Sequence, residues 1–195
     1  MAYSIDAIQD DCYPDSTVLI NKLGIRDEAI LADAETVAVL LHSSEIEENP
    51  PMASFTFDFY CSLHEELFGD LYEWAGKLRT VNISKKGTVF CPAADLQEYG
   101  QAKFEYLQSR MEFRNLKRSE FISELADFYN DLNMLHCFRE GNGRTQRLFF
   151  TLLIRRAGYD IHFSDCDMDE LMMATIYAAQ GIMDFLTAFF DKTIK

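Results

Sequence analysis

No run of apolar residues in this 195-residue chain approaches the roughly twenty that a membrane-spanning helix needs. Cysteine pairs with redox or zinc spacing are missing too. The five cysteines, at 12, 61, 91, 137 and 166, include no C-x-x-C and are odd in number. Such usage fits reduced thiols in a cytoplasm and not a disulfide framework. Basic residues are scarce, with 18 Lys and Arg against 32 Asp and Glu, a formal net charge of -14. That balance argues against nucleic acid as a partner and against an anionic membrane surface. Residues 1–11 carry neither a basic n-region nor an apolar h-region, so no signal peptide is expected. The expected location is cytoplasmic, with delivery into another cell by a dedicated system left open. Internal repeats, long linkers and low-complexity tracts are not found.

What is present is the material of a soluble globular domain, 48% apolar and rich in Phe and Tyr. Asp27 predicts the N-cap of a helix running to about Ser43, and Pro50 and Pro51 forbid its continuation. A second helix is expected from Thr56 to Phe68, with Gly69 as its stop. Residues 79–84 alternate in polarity, Lys85-Lys86-Gly87 is turn-like, and residues 88–91 return, which predicts one small β-hairpin. Helices are expected over residues 95–113, with Leu96, Tyr99, Phe104, Leu107 and Met111 inward, and from a cap at Ser119. Further helices are expected over 144–156, 167–180 and 183–192. The fold class is therefore mainly α, a helical bundle with one β-hairpin.

Between two of these helices lies His136-Cys137-Phe138-Arg139-Glu140-Gly141-Asn142-Gly143-Arg144-Thr145-Gln146-Arg147. Gly141 and Gly143 allow backbone N–H groups to approach a ligand closely, and Asn142 tolerates a left-handed conformation. These amides open a helix, where unsatisfied donors and the dipole favour an anion. Arg144 and Arg147, three apart, share a helix face and aim two guanidinium forks at that anion. Two cations in a first turn oppose the dipole, a local conflict that points to function. Glu140 suits Mg²⁺, which takes a carboxylate together with phosphate oxygens and waters. His136 is placed to act as general base. Taken singly, His136 reads as a helix cap and the charged residues as a surface ion-pair network. Together they form a phosphoryl- or nucleotidyl-transfer constellation.

The segment resembles the signature of the Fic family, H-x-F-x-[DE]-G-N-G-R-x-x-R, with every defined position matched. Residues 67–79, Leu-Phe-Gly-Asp-Leu-Tyr-Glu-Trp-Ala-Gly-Lys-Leu-Arg, and Leu23-Gly24-Ile25 are similar to the family as well. The resemblance implies a single Fic domain over residues 20–192 behind an N-terminal arm of residues 1–19. It implies protein adenylyltransferase activity, AMP passing from ATP and Mg²⁺ to a Tyr, Thr or Ser hydroxyl of a target protein. His136 would deprotonate the hydroxyl and Glu140 would hold Mg²⁺. Gly141, Asn142 and Gly143 would cradle the phosphates, Arg144 and Arg147 hold the outer ones, and Phe138 anchor the loop. The hairpin corresponds to a flap that docks the target through Ser84, Lys85, Lys86, Gly87, Thr88, Val89 and Phe90. Cys137 departs from the family's usual Pro, which loosens the loop. A lysine in place of Gly143 would suit kinase relatives, so AMP transfer is the favoured chemistry.

Regulation in the family often uses a glutamate in [ST]-x-x-x-E-[GN], on the same chain or on a small antitoxin-like partner. One match occurs, Ser44-Glu45-Ile46-Glu47-Glu48-Asn49, in a place expected to lie between helices and away from the nucleotide. The expectation is therefore a separate inhibitory chain. Two rival functions remain: a Fic-fold transferase of another nucleotide or phospho-group, and a non-catalytic protein that only binds nucleotide or partner.

Overall fold

A computed structural model of the chain describes residues 4–5, 11–85 and 87–195. Among these residues the helices are α1 (Glu28–Glu48), α2 (Phe57–Phe68), α3 (Leu96–Ser109), α4 (Arg118–Leu135), α5 (Asn142–Arg156), α6 (Met168–Ala178) and α7 (Asp184–Thr193). Strands β1 (Ser4–Ile5), β2 (Ile83–Lys85) and β3 (Thr88–Val89) form an antiparallel sheet in the order β1-β2-β3. The expected hairpin is thus β2–β3, and the N-terminal arm adds a third strand along its outer edge.

Side-chain capping explains three of the helix starts. Asp27 accepts the Ala29 and Ile30 amides, Thr56 accepts that of Phe59, and Asp167 accepts those of Asp169 and Glu170. Two expectations need correction, the Ser119 cap and the inward face of α3. Ser119 is not a cap: α4 begins at Arg118 after Lys117, whose side chain caps nothing. Gly69 closes α2 as expected, its amide donating to the Glu65 carbonyl at 2.7 Å, with a right-handed φ of -62°. Tyr99 faces outward, because Gly100 is the residue turned inward on α3, with no room for a Cβ beside the Phe57 ring, and Met111 is exposed because α3 already ends at Ser109. Residues 111–113 form a separate 3-10 turn.

The core is aromatic and centres on α4 and α5. On α4, Phe121, Leu125, Phe128 and Leu132 recur at three and four residues and are buried. Phe149 of α5 meets Tyr60 edge-on at 5.4 Å and Phe104 at 5.4 Å. Because α5 touches α1, α2 and α4, even its polar residues are enclosed and must find partners. Gln146 donates to the Tyr129 carbonyl at 2.7 Å, and Thr151 to that of Arg147 at 3.0 Å. The start of α5 is thereby fixed from three sides. Cys12, Val18 and Leu19 of the N-terminal segment are buried in the same core.

Candidate active site

The last turn of α4 delivers His136. The helix ends at Leu135, and His136 follows in a left-handed conformation, φ 43° and ψ 55°. A residue with a Cβ disfavours that region by about 1–2 kcal/mol, so something must hold it. Arg79 does, donating from Nε to the His136 carbonyl at 2.8 Å and from Nη1 to that of Val81 at 2.7 Å. The Arg79 amide donates to the Cys137 carbonyl at 2.9 Å, so one buried residue ties the chain before β2 to the loop that follows α4. The imidazole itself donates from Nδ1 to the Asn133 carbonyl at 3.1 Å, since a carbonyl can only accept. Nε2 is then the nitrogen that carries the lone pair. Phe90 stacks on the ring at 3.9 Å and 12°. Burial pushes the His136 pKa down to about 3, against an opposing pull from the Asn133 carbonyl; Lys85 and Arg79 add to the lowering. The ring is a neutral base throughout the physiological range.

The loop beyond is locked from within. Asn142 opens α5. Its side chain accepts the Phe138 amide and donates to the Phe138 carbonyl, both at 2.8 Å. Phe138 is fully buried, as an anchor should be. Gly141 takes the left-handed position at φ 78°, and a Cβ there would lie 2.5 Å from the Phe68 ring. Glycine is required twice over. The Glu140 carboxylate accepts the Gly141 amide at 2.9 Å and lies 3.5 Å from Arg144. An anion thus already rests on the first amide of the cradle.

The two motif arginines are not equivalent. Arg144 pairs at 2.6 Å with Glu35, a buried carboxylate of α1 that also accepts the Tyr72 hydroxyl, and its guanidinium lies 4.8 Å from the Phe68 ring centre. Arg147 makes no salt bridge among the described residues. Burial lowers its pKa, with Arg144 adding to the effect. It is the cation with most to gain from an incoming anion.

Glu140, Gly141, Gly143, Arg144, Arg147 and His136 all line one cavity of about 510 Å³. Its far wall is a face of α6, Met168, Leu171, Met172, Thr175 and Ile176. Sequence reasoning left this wall out, although its spacing of three and four residues was a legible helix stripe. Lys85, Thr88 and Phe90 close the His136 end. Phe90 is buried against His136, whereas Val89 is 73% exposed. Of the expected flap residues, Lys86 lies outside the described residues. Among the described residues no group of three or more His, Cys, Asp or Glu could hold a metal ion. Glu140 beside a phosphate-sized cradle is nevertheless a donor set that suits Mg²⁺, which is commonly held by one carboxylate, waters and the substrate's own phosphates.

A second cavity of about 520 Å³ runs between α1 and α5, and Arg144 and Arg147 line it as well. Residues 44–48 are not between helices, as expected, but form the end of α1, and Ser44, Glu47 and Glu48 line this groove. Glu47 pairs with Arg155 at 2.9 Å. No described helix is long and apolar enough to cross a membrane.

Residues 54–154 match the Fic/DOC family. The chain is 34% identical over 181 residues to "Protein adenylyltransferase VbhT" of Bartonella schoenbuchensis, covering 93% of this chain but only 38% of that protein. It is 33% identical over 183 residues to "Probable protein adenylyltransferase Fic" of Salmonella typhimurium, covering 94% of this chain and 90% of that one. Among solved structures it is similar to the BepC protein of Bartonella tribocorum with bound AMPPNP. There the TM-score is 0.90 at 26% identity, over 96% of this chain and 97% of that one.

Proposed function

The chain belongs to the Fic/DOC family, and we propose that it is a protein adenylyltransferase, moving AMP from ATP to a hydroxyl of a target protein. One observation carries the reading. A neutral His136, its Nδ1 proton committed to a main-chain carbonyl, shares a cavity with a glycine cradle and with Arg147. The target hydroxyl oxygen attacks the α-phosphorus of ATP, and its proton passes to Nε2 of His136. The bond from the α-phosphorus to the β-bridging oxygen breaks, and pyrophosphate leaves. The first-turn amides of α5 and the Gly141 N–H receive phosphate oxygens, and Arg147 receives the outer phosphate. Glu140 would hold Mg²⁺, which would neutralise charge on the phosphates. The α6 face offers an apolar wall for the base. Lys85, Thr88 and Phe90 bound the end at which the hydroxyl of a Tyr, Thr or Ser must sit.

The groove between α1 and α5 suits a separate small inhibitory chain. A carboxylate entering it would meet Arg147 and compete with the outer phosphate. Glu48 of this chain is exposed, and among the described residues it makes no ion pair with Arg147. Five unpaired cysteines accord with function in a reducing cytoplasm.

The test is label transfer from ATP carrying isotope at the α- or the γ-phosphate, with GTP, CTP and UTP as competitors. AMP transfer predicts protein-bound label from the α-position alone. Label from the γ-position would mean a kinase, and strong competition by another nucleotide would mean a different donor. Nucleotide binding without labelling would mean a binding protein.

A further inference from the structure

His64 is the one histidine with no access to solvent, and the mechanism above does not use it. It sits on α2, and its ring lies between Phe138, stacked at 3.9 Å and 21°, and Phe68, at 4.8 Å. Both ring nitrogens are engaged with main chain. The Gly76 amide donates to Nδ1 at 2.9 Å. Nδ1 is therefore the unprotonated nitrogen, and Nε2 carries the hydrogen. Nε2–H donates to the carbonyl of Glu140 at 3.0 Å. Two main-chain groups far apart in sequence thus select one tautomer, and a ring sandwich fixes its plane.

The Glu140 carbonyl and the Gly141 N–H belong to one planar peptide unit, and in a trans peptide they point in opposite directions. No described peptide bond is cis. Holding the carbonyl therefore aims the amide on the other side. That amide already meets an anion, the Glu140 carboxylate at 2.9 Å. With a glycine at φ 78°, the peptide would otherwise be unusually free to rotate.

We propose that His64 is a positioning residue for nucleotidyl transfer: through the Glu140–Gly141 peptide it aims the first N–H of the anion cradle at the phosphates. The inference rests on the transfer reading above for its consequence, though not for its geometry. His64 touches no substrate. It also sets the main-chain direction from which the Glu140 side chain departs toward its ligand.

Three variants of the full chain separate this from a packing role. In His64→Gln the terminal amide nitrogen reaches the place of Nε2 and keeps the donor. In His64→Asn the side-chain oxygen replaces Nδ1 and the donor is lost. In His64→Phe the stack remains and both hydrogen bonds go. Melting temperature, the Gly141 amide resonance of the nucleotide-free protein and the rate of α-label transfer are read for each. His64→Gln should keep the resonance and stay within about threefold of the wild-type rate. His64→Asn and His64→Phe should move the resonance and lose about a hundredfold in rate, the scale of a group misplaced by about an ångström. Rates that simply follow melting temperature across the three variants would overturn the proposal. So would an unmoved Gly141 resonance in His64→Asn. If the wild type transferred no AMP, the function would be misread, yet the resonance would still decide whether His64 aims the amide.

Discussion

A histidine whose Nδ1 proton is held by a carbonyl can take a proton only at Nε2, and His136 is so held at 3.1 Å. The ring is held by the Asn133 carbonyl and stacked on Phe90, and the His136 carbonyl accepts from Arg79. The loop beyond is locked by Asn142 on Phe138 and not by the imidazole, so if His136 is the base, removing the ring should spare nucleotide binding. His136→Ala should lower the transfer rate by about 10²–10⁴ while the Kd for ATP, measured calorimetrically, changes less than about threefold. A variant that kept a tenth of the rate would remove His136 from the role of base. Glu140 should fail differently. A metal held by a lone carboxylate would take most of its shell from phosphate and water, so excess metal could compensate. Glu140→Ala should lose most activity at low Mg²⁺ and recover part of it as Mg²⁺ is raised. A loss equal at every Mg²⁺ concentration would show that the carboxylate serves the loop through Gly141 and Arg144 instead.

At the scale of elements, the loop from α4 to α5 is shaped by what surrounds it. Gly141→Ala should be severe for two separable reasons: a left-handed φ of 78°, and a Cβ 2.5 Å from the Phe68 ring. The first costs about 1–2 kcal/mol and the second forces the loop to move. Denaturant unfolding should show at least that loss, with transfer falling by more than the stability change explains. For α1, Glu48→Gly should leave transfer within about twofold, because Glu48 stands exposed on the groove and Arg147 has no acidic partner among the described residues. A several-fold rise in self-labelling would make Glu48 an internal inhibitor.

These elements also show what the sequence discloses. The stripe of α4 was legible because a helix writes its buried face at fixed spacing, and the twelve-residue motif because its residues lie together in one stretch of chain and line one cavity. Tyr99 misled because an empty place, Gly100 against Phe57, decided which face of α3 turned inward. Strand β1 pairs only residues 4 and 5 with 84 and 83, too little pattern to read. His64 and Arg79 escaped because their acceptors are main-chain carbonyls of residues 140 and 136, and a carbonyl has no letter in the sequence.

For the whole molecule, the buried histidines set an acid limit on folding. Burial lowers His64 to about 4 and His136 to about 3, from an ordinary value of 6.5. The unfolded chain protonates both rings as pH falls through about 6.5, while the folded chain holds both neutral down to about 4. Over that window the unfolded state binds more protons, so stability drops as pH is lowered. Their contribution is full above about pH 6.5 and is lost as pH falls through the folded values. Each ring adds a slope of about 1.4 kcal/mol per pH unit within its window. Carboxylates titrate in part of the same range, so the wild-type curve alone does not isolate the histidines. The comparison that does is urea unfolding of wild type and His136→Asn at pH 7, 6 and 5. Wild type should lose up to about 2 kcal/mol more than the variant between pH 7 and 5. Parallel losses in the two proteins would mean that His136 is not held neutral by the fold, and the argument that it stands ready as a base would fall with that result.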